Sequence, residues 1–268
     1  MLPHLTWKPD PLAAGLLFFA VAWYSAGLRR MHRHRALAHG SVLEISSFAI
    51  AWLVLVVALL SPLATVSEWL FSVHMTQHEL LMLVAAPLLA IGRPLVPMVW
   101  ALPKTWRRAA AGAATTGVLS ILTTPFVVFV LHALALWIWH VPVLYEAAVL
   151  DDRVHLIQHL SFTGTAALFW WSLVRGRYGR LGYGVAVFYV FATALHSGGL
   201  GALLAFSPAP WYSIYVARAG VSGDPLQDQQ LGGVLMWVPS GIAMMLAGLG
   251  LFAAWLGEAE RRRRKGWS

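Results

Sequence analysis

The chain has 268 residues, 59% of them hydrophobic and 11% charged, with no cysteine and a net charge of +8. Soluble domains are nearer about 45–50% apolar and roughly 25% charged, so the composition excludes an ordinary soluble domain and fits a polytopic membrane protein. The missing thiols exclude disulfides, thiolate metal sites and thiol relays, leaving histidine and methionine as the nitrogen and soft donors.

The first residues, MLPHLTWKPDPLAAG, lack the basic start and small-residue cleavage site of a signal peptide and read as a short mature tail. A span needs about 20 mostly apolar residues. The apolar runs predict seven, at roughly 12–28, 43–63, 72–92, 117–140, 154–174, 182–205 and 229–256, in one integral membrane domain covering 1–268. The fold class expected is therefore all-α, a seven-helix transmembrane bundle.

The connections predict its orientation. Arg29, Arg30, Arg33 and Arg35 follow the first span. Arg93, Lys104, Arg107 and Arg108 follow the third, Arg175, Arg177 and Arg180 the fifth, and Arg261 to Lys265 the seventh. These alternate connections hold 16 of the 19 basic residues, leaving Lys8, Arg153 and Arg218 on the other side. The positive-inside rule then puts the N-terminus outside and the C-terminus in the cytoplasm of a bacterial plasma membrane. The basic charge reads as topology signal and lipid contact. No basic patch interleaved with aromatics supports nucleic-acid binding. Glu68, Glu79, Glu146, Asp151, Asp152, Asp224 and Asp228 fall at the outer ends. So do Trp137, Trp139, Trp211 and Trp237, an expected aromatic belt. Gly232, Gly233 and Pro239 predict close helix approach and a kink in the last span.

The third and fifth spans each open with H-x-x-Q-H, as His74–His78 and His155–His159. Residues four apart share one helix face, so each pair offers two imidazoles to one centre. On the predicted topology His140 ends the fourth span at the outer rim, and His132 lies about 12 Å deeper. His196 falls in the outer half of the sixth span, and Asp228 stands at the mouth of the seventh. His32, His34 and His39 sit in or beside the first basic connection. A buried imidazole needs a partner, and eight groups converging from five spans predict a metal site of His74, His78, His155, His159, His140, His132, His196 and Asp228. Gln77 and Gln158 are placed to orient the imidazoles. Met75 and Met82 are candidate soft donors or core filling, with His78 and Met82 again four apart. Asp228 reads equally as a helix cap. Histidine-rich, cysteine-free sites suit copper, zinc or iron. Bis-histidine haem ligation needs no i, i+4 pairs, so one or two non-haem ions fit better.

The stretches HMTQHELLM, LWIWHVPVLYEAA, HLIQHLSF and DQQLGGVLMWVP resemble the CtaG family, the seven-span assembly factors of caa-type cytochrome c oxidases. The likeness runs from the second span through the seventh. A single-span, cysteine-dependent copper chaperone of the same family name does not fit a chain without cysteine. The resemblance implies copper as cofactor, a haem–copper oxidase subunit as partner, and an assembly role in place of catalysis. Its motifs fall on His74, His78, His140, His155, His159 and Asp228; His132 and His196 rest on geometry alone. Two alternatives remain at this point. A di-metal enzyme acting on oxygen species would need an open coordination position. A copper transporter would need polar groups continuing to the inner half, where the spans show almost none.

Overall fold

Asp10 starts the first helix by accepting a hydrogen bond from the Leu12 amide at 2.8 Å, and Pro11 fills the first helical position, where no N–H is needed. The computed structural model describes residues 9–34, 42–115, 121–175, 183–219 and 223–265. Its regular structure there is helical throughout. The helices are α1 (Pro11–Arg33), α2 (Val42–Leu60), α3 (Pro62–Ser67), α4 (Phe71–Gly92), α5 (Leu95–Ala101), α6 (Lys104–Thr115), α7 (Pro125–Trp139) and α8 (Pro142–Leu150). After them come α9 (Asp152–Arg175), α10 (Tyr183–Ala205), α11 (Ser213–Ala217) and α12 (Pro225–Lys265).

Apolar side chains face outward. Phe188, Phe191 and Leu195 on α10, and Val238, Ile242, Leu249 and Phe252 on α12, are exposed. His74, His78, Gln77, Gln158, His159 and Thr193 are buried. A bundle with polar groups inside and oily groups outside has hydrocarbon as its solvent. Several helices are long and apolar enough to cross a membrane: α1, α2, α4, α10 and α12, plus the α7–α8 pair if its 77° bend is counted as one span. The chain is therefore a multi-pass membrane protein.

The seven expected spans meet these helices unevenly. The predicted fifth is α9, whose 24 residues reach about 36 Å at 1.5 Å each. It lies outside the apolar set because His155, Gln158 and His159 dilute its hydrophobicity. The predicted fourth begins at Pro125, eight residues later than expected, and residues 116–120 lie outside the described residues. So do Lys8, Arg35, His39, Arg177, Arg180 and the predicted start of the sixth span at 182. The first helix continues to Arg33, so Arg29, Arg30 and Arg33 belong to its last turns.

α4 is the central element. It packs on α2 and α3, on α9 and on the start of α12. Its backbone relaxes into a π-helical turn at Leu80–Ala85, and the Trp170 indole donates to the Met82 carbonyl there at 2.9 Å. It ends at Arg93, a left-handed residue (φ 47°) whose guanidinium pairs with Glu44 at 3.6 Å. Among the described residues, α10 and α12 form the most extensive helix pair, crossing where Gly201 meets Gly233. A Cβ on Gly233 would stand 2.5 Å from the Ala205 nitrogen, so only glycine permits the approach. At the opposite end of the bundle, Gly27 of α1 meets the Pro97 backbone, and Arg30 donates to the Ala101 and Leu102 carbonyls that end α5. α12 runs through Pro239 as one continuous helix.

One end of the bundle gathers the starts of α1, α4, α9 and α12 with the end of α7. The segment from Phe206 to Tyr212 folds back over it. Trp211 donates its amide to Gln229 at 2.6 Å, and Gln230 donates to the Ser207 carbonyl at 3.2 Å. Trp139 and Trp211, expected in an aromatic belt, point their indole nitrogens to Ser161 (2.7 Å) and Ser207 (3.0 Å).

Candidate metal centre

The two H-x-x-Q-H motifs open α4 and α9, and the packing of these helices turns both pairs toward each other. Ring centroids of His74 and His78 lie 4.4 Å apart, and those of His155 and His159 4.1 Å apart. Across the helices, His78 and His159 are 5.3 Å apart and His74 and His155 are 5.2 Å apart. Ligand nitrogens of His74, His78 and His159 all lie within 4.8 Å of one another, and all three residues are buried. An ion bound to nitrogens at about 2.0–2.1 Å spans at most roughly 4 Å between donors. Binding one ion would require the rings to turn toward it by the difference.

The polar inventory points to a ligand. Among the described residues, Nε2 of His74, His140, His155 and His159 and both nitrogens of His78 are buried without a hydrogen-bond partner. Five such rings at one end of a membrane bundle are costly unless something binds them. A cation that accepts imidazole nitrogens fits this donor set.

Around the rings is an aromatic cover. Tyr145, Tyr212 and Tyr215 are buried; the Tyr145 and Tyr215 hydroxyls are 3.0 Å apart. Tyr212 donates to the His140 carbonyl at 3.1 Å, and Tyr215 to the Ser67 carbonyl at 3.2 Å. Tyr145 lies 5.1 Å from His74 and 4.1 Å from Tyr212, while Phe162 lies 4.7 Å from His78. The Glu146 carboxylate holds this cover down by accepting from Ser213 Oγ at 2.8 Å and the Ile214 amide at 3.3 Å. Sequence reasoning missed the tyrosines. Tyr212 and Tyr215 lie in the run WYSIY, which reads as an ordinary loop, and Tyr145 lies in LWIWHVPVLYEAA, where His140 was the residue singled out.

The predicted site residues divide into groups. His74, His78 and His159 form the core, with His155 beside it. His140 closes the set from the end of α7: its Nδ1 is 2.6 Å from the Leu136 carbonyl, and its ring sits 6.2 Å from Phe162. His132 and His196 stand apart from this group. His132 shares a 3.1 Å hydrogen bond with Thr165 and stacks on Phe169, and His196 packs edge-on to Phe129. α7 carries His132 two turns below His140, while His196 belongs to α10.

Asp228 is not among the imidazoles. Its carboxylate accepts from the Phe71 amide at 2.6 Å, from the Ser72 amide at 3.2 Å and from the Ser72 hydroxyl. It caps α4, whose own N-cap residue, Leu70, has no side-chain acceptor. Gln77 gives its amide nitrogen to the Ala58 carbonyl near the end of α2 at 2.7 Å, so it ties helices together and does not orient a ring. Gln158 is fully buried beside His74, without a well-formed hydrogen bond to it. Met75 and Met82 join the apolar core, Met75 against Gly232. Met82 falls within the π-helical turn Leu80–Ala85, where the regular four-residue spacing is altered.

The family profile of the cytochrome c oxidase caa3 assembly factor (Caa3_CtaG) matches residues 22–258. The chain belongs to this family. Uncharacterised proteins of Mycobacterium bovis and Mycobacterium tuberculosis are each 25% identical over 281 residues, covering 95% of this chain and 40% of theirs. One of Mycobacterium leprae is 24% identical over 283 residues, with the same coverage. The chain thus spans about two fifths of the length of these curated relatives. No solved structure gives a significant match.

Proposed function

We propose that this chain holds copper in its buried imidazole cluster and passes it to a subunit of a haem–copper oxidase during assembly. The observation that carries the reading is the triad of His74, His78 and His159, whose ligand atoms lie within 4.8 Å of one another. Neutral imidazoles accept copper in either common oxidation state, and a site of this kind binds without thiolates. The ion is cargo, so no turnover is needed. His155 and His140, each with a buried unpartnered Nε2, supply neighbouring donors for stepwise ligand exchange. The tyrosine cover shields one flank of the rings from bulk water.

The proposal includes a topology. Counting α9 and the bent α7–α8 pair with the five apolar helices makes seven passes of a bacterial plasma membrane. Seven passes put the two termini on opposite faces. The distribution of basic residues supports a histidine end outside and the end of α12, Arg261–Arg264, in the cytoplasm. That puts the site on the face from which copper would reach an oxidase alongside.

Elemental analysis of the purified protein in detergent tests the reading. Wild type loaded with copper and desalted should retain about one ion per chain. His78→Ala and His159→Ala should each lose most of it, and His132→Ala should keep it. Full retention by both cluster variants would overturn the assignment. A Soret band that accounts for the bound metal would replace copper by haem.

A further inference from the structure

A cleft of about 250 Å³ opens at the histidine end of the bundle. Its rim is built by Pro9–Pro11 at the start of α1, Ala64 and Thr65 of α3 with Glu68 just after it, and Asp152 at the start of α9. Its inner wall is Gln77, His155 and His159. Asp10, Glu68 and Asp152 ring the mouth, and Asp152 and Asp10 lie close enough to His155 to act on it electrostatically.

Carboxylates alone at a helix end mean little. Here a second observation points inward. His159 is 6% exposed and Gln77 is 1% exposed, and both line the cleft. His159 Nε2 and the Gln77 carbonyl oxygen have no hydrogen-bond partner among the described residues. Beyond them the rings continue, from His155 to His159 at 4.1 Å and from His159 to His78 at 5.3 Å. On its other flank the imidazole group is covered by Tyr145, Tyr212 and Tyr215, so this cleft is its wet approach.

We propose that the cleft framed by Asp10, Glu68 and Asp152 is the port through which a metal cation reaches the buried imidazoles, with His155 the first nitrogen it meets. The inference rests on the copper reading of the cluster and adds its route. Carboxylates at the mouth of a cleft with low-dielectric walls focus the field and raise the local cation concentration. They also replace part of the hydration shell before the ion enters the buried site. Imidazole centroids spaced 4–5 Å apart then let one donor bind before the previous one releases.

The test is the rate of copper uptake, measured apart from its extent. Apo protein in detergent is mixed with Cu(II) in a stopped-flow instrument, tryptophan fluorescence quenching is followed, and bound copper is counted after desalting. The Asp10→Asn, Glu68→Gln, Asp152→Asn triple variant should load about tenfold more slowly at low salt and lose most of the salt dependence seen in wild type. Its final stoichiometry should match wild type. Asparagine at position 10 keeps an acceptor for the Leu12 amide, so α1 stays capped. Asp224→Asn, at the same end but outside the cleft, should load at the wild-type rate. His155→Ala should slow loading while keeping the ion. A triple variant with wild-type rate and salt dependence overturns the port and leaves the copper site standing. Wild type that binds no copper overturns both.

Discussion

Asp228 shows how one carboxylate can be read two ways from sequence and one way from structure. It lies among histidine-bearing spans, which suggests a ligand, and it opens a helix, which suggests a cap. The fold makes it a cap, and of a different helix: it receives the Phe71 and Ser72 amides, 157 and 156 residues away. α4 needs this because Leu70 offers no side-chain oxygen at its start. The negative charge also meets the positive end of the α4 dipole. Asp228→Ala should therefore cost about 0.5–2 kcal/mol in stability, as lost caps do, read as a lower melting temperature in detergent. Asp228→Asn should fall between. Because α4 carries His74 one turn further on, Asp228→Ala should weaken copper binding but leave one ion per chain at saturation. Loss of the ion at saturating copper would instead make Asp228 a ligand.

At the scale of elements, the approach of α10 to α12 is set by two glycines. A methyl at Gly233 would meet the Ala205 nitrogen at 2.5 Å and the Gly201 carbonyl oxygen at 2.7 Å, both rigid backbone. Gly233→Ala should push the helices apart and cost about 1–3 kcal/mol, the usual penalty of overpacking. Gly241 lies on the same helix with nothing within 4 Å of a Cβ. Gly241→Ala should be neutral or slightly stabilising, since alanine is the better helix former. Equal melting temperatures for the two variants would show that the crossing has room for a methyl group at Gly233. The α4–α9 contact works differently. It is built around imidazoles and Phe162, and a bound ion would link the helices directly. Copper should accordingly raise the melting temperature of wild type more than that of His159→Ala, by mass action on the folded state.

For the whole molecule, the absence of cysteine makes topology directly measurable, because any introduced thiol is the only one. Thr105→Cys on α6 and Ser213→Cys on α11 lie at opposite ends of the proposed topology. In intact cells an impermeant maleimide should label position 213 and spare position 105, and lysis should expose both. Labelling at 105 alone would invert the bundle and move the histidine cluster to the cytoplasmic face. The exposed apolar faces of α10 and α12 need no other explanation than lipid.

Much of this was legible in the chain itself. Apolar length marked most of the membrane helices, since hydrocarbon solvent demands long oily runs. The repeated H-x-x-Q-H marked α4 and α9 as partners, because i, i+4 spacing is a local property that survives any packing. The rest needed three dimensions. Which of seven histidines meet depends on how α4, α7, α9 and α10 pack, and that packing left His132 and His196 with Thr165 and Phe129 instead of with the cluster. The roles of Asp228 and Gln77 turned on backbone groups more than 150 residues away in one case and on a neighbouring helix in the other. The tyrosine cover and the acidic cleft could be read from the chain only as scattered residues, Glu68 and Asp152 among the acidic outer ends and Tyr145 within LWIWHVPVLYEAA. Each is assembled from separate segments, and only the tertiary fold puts them side by side.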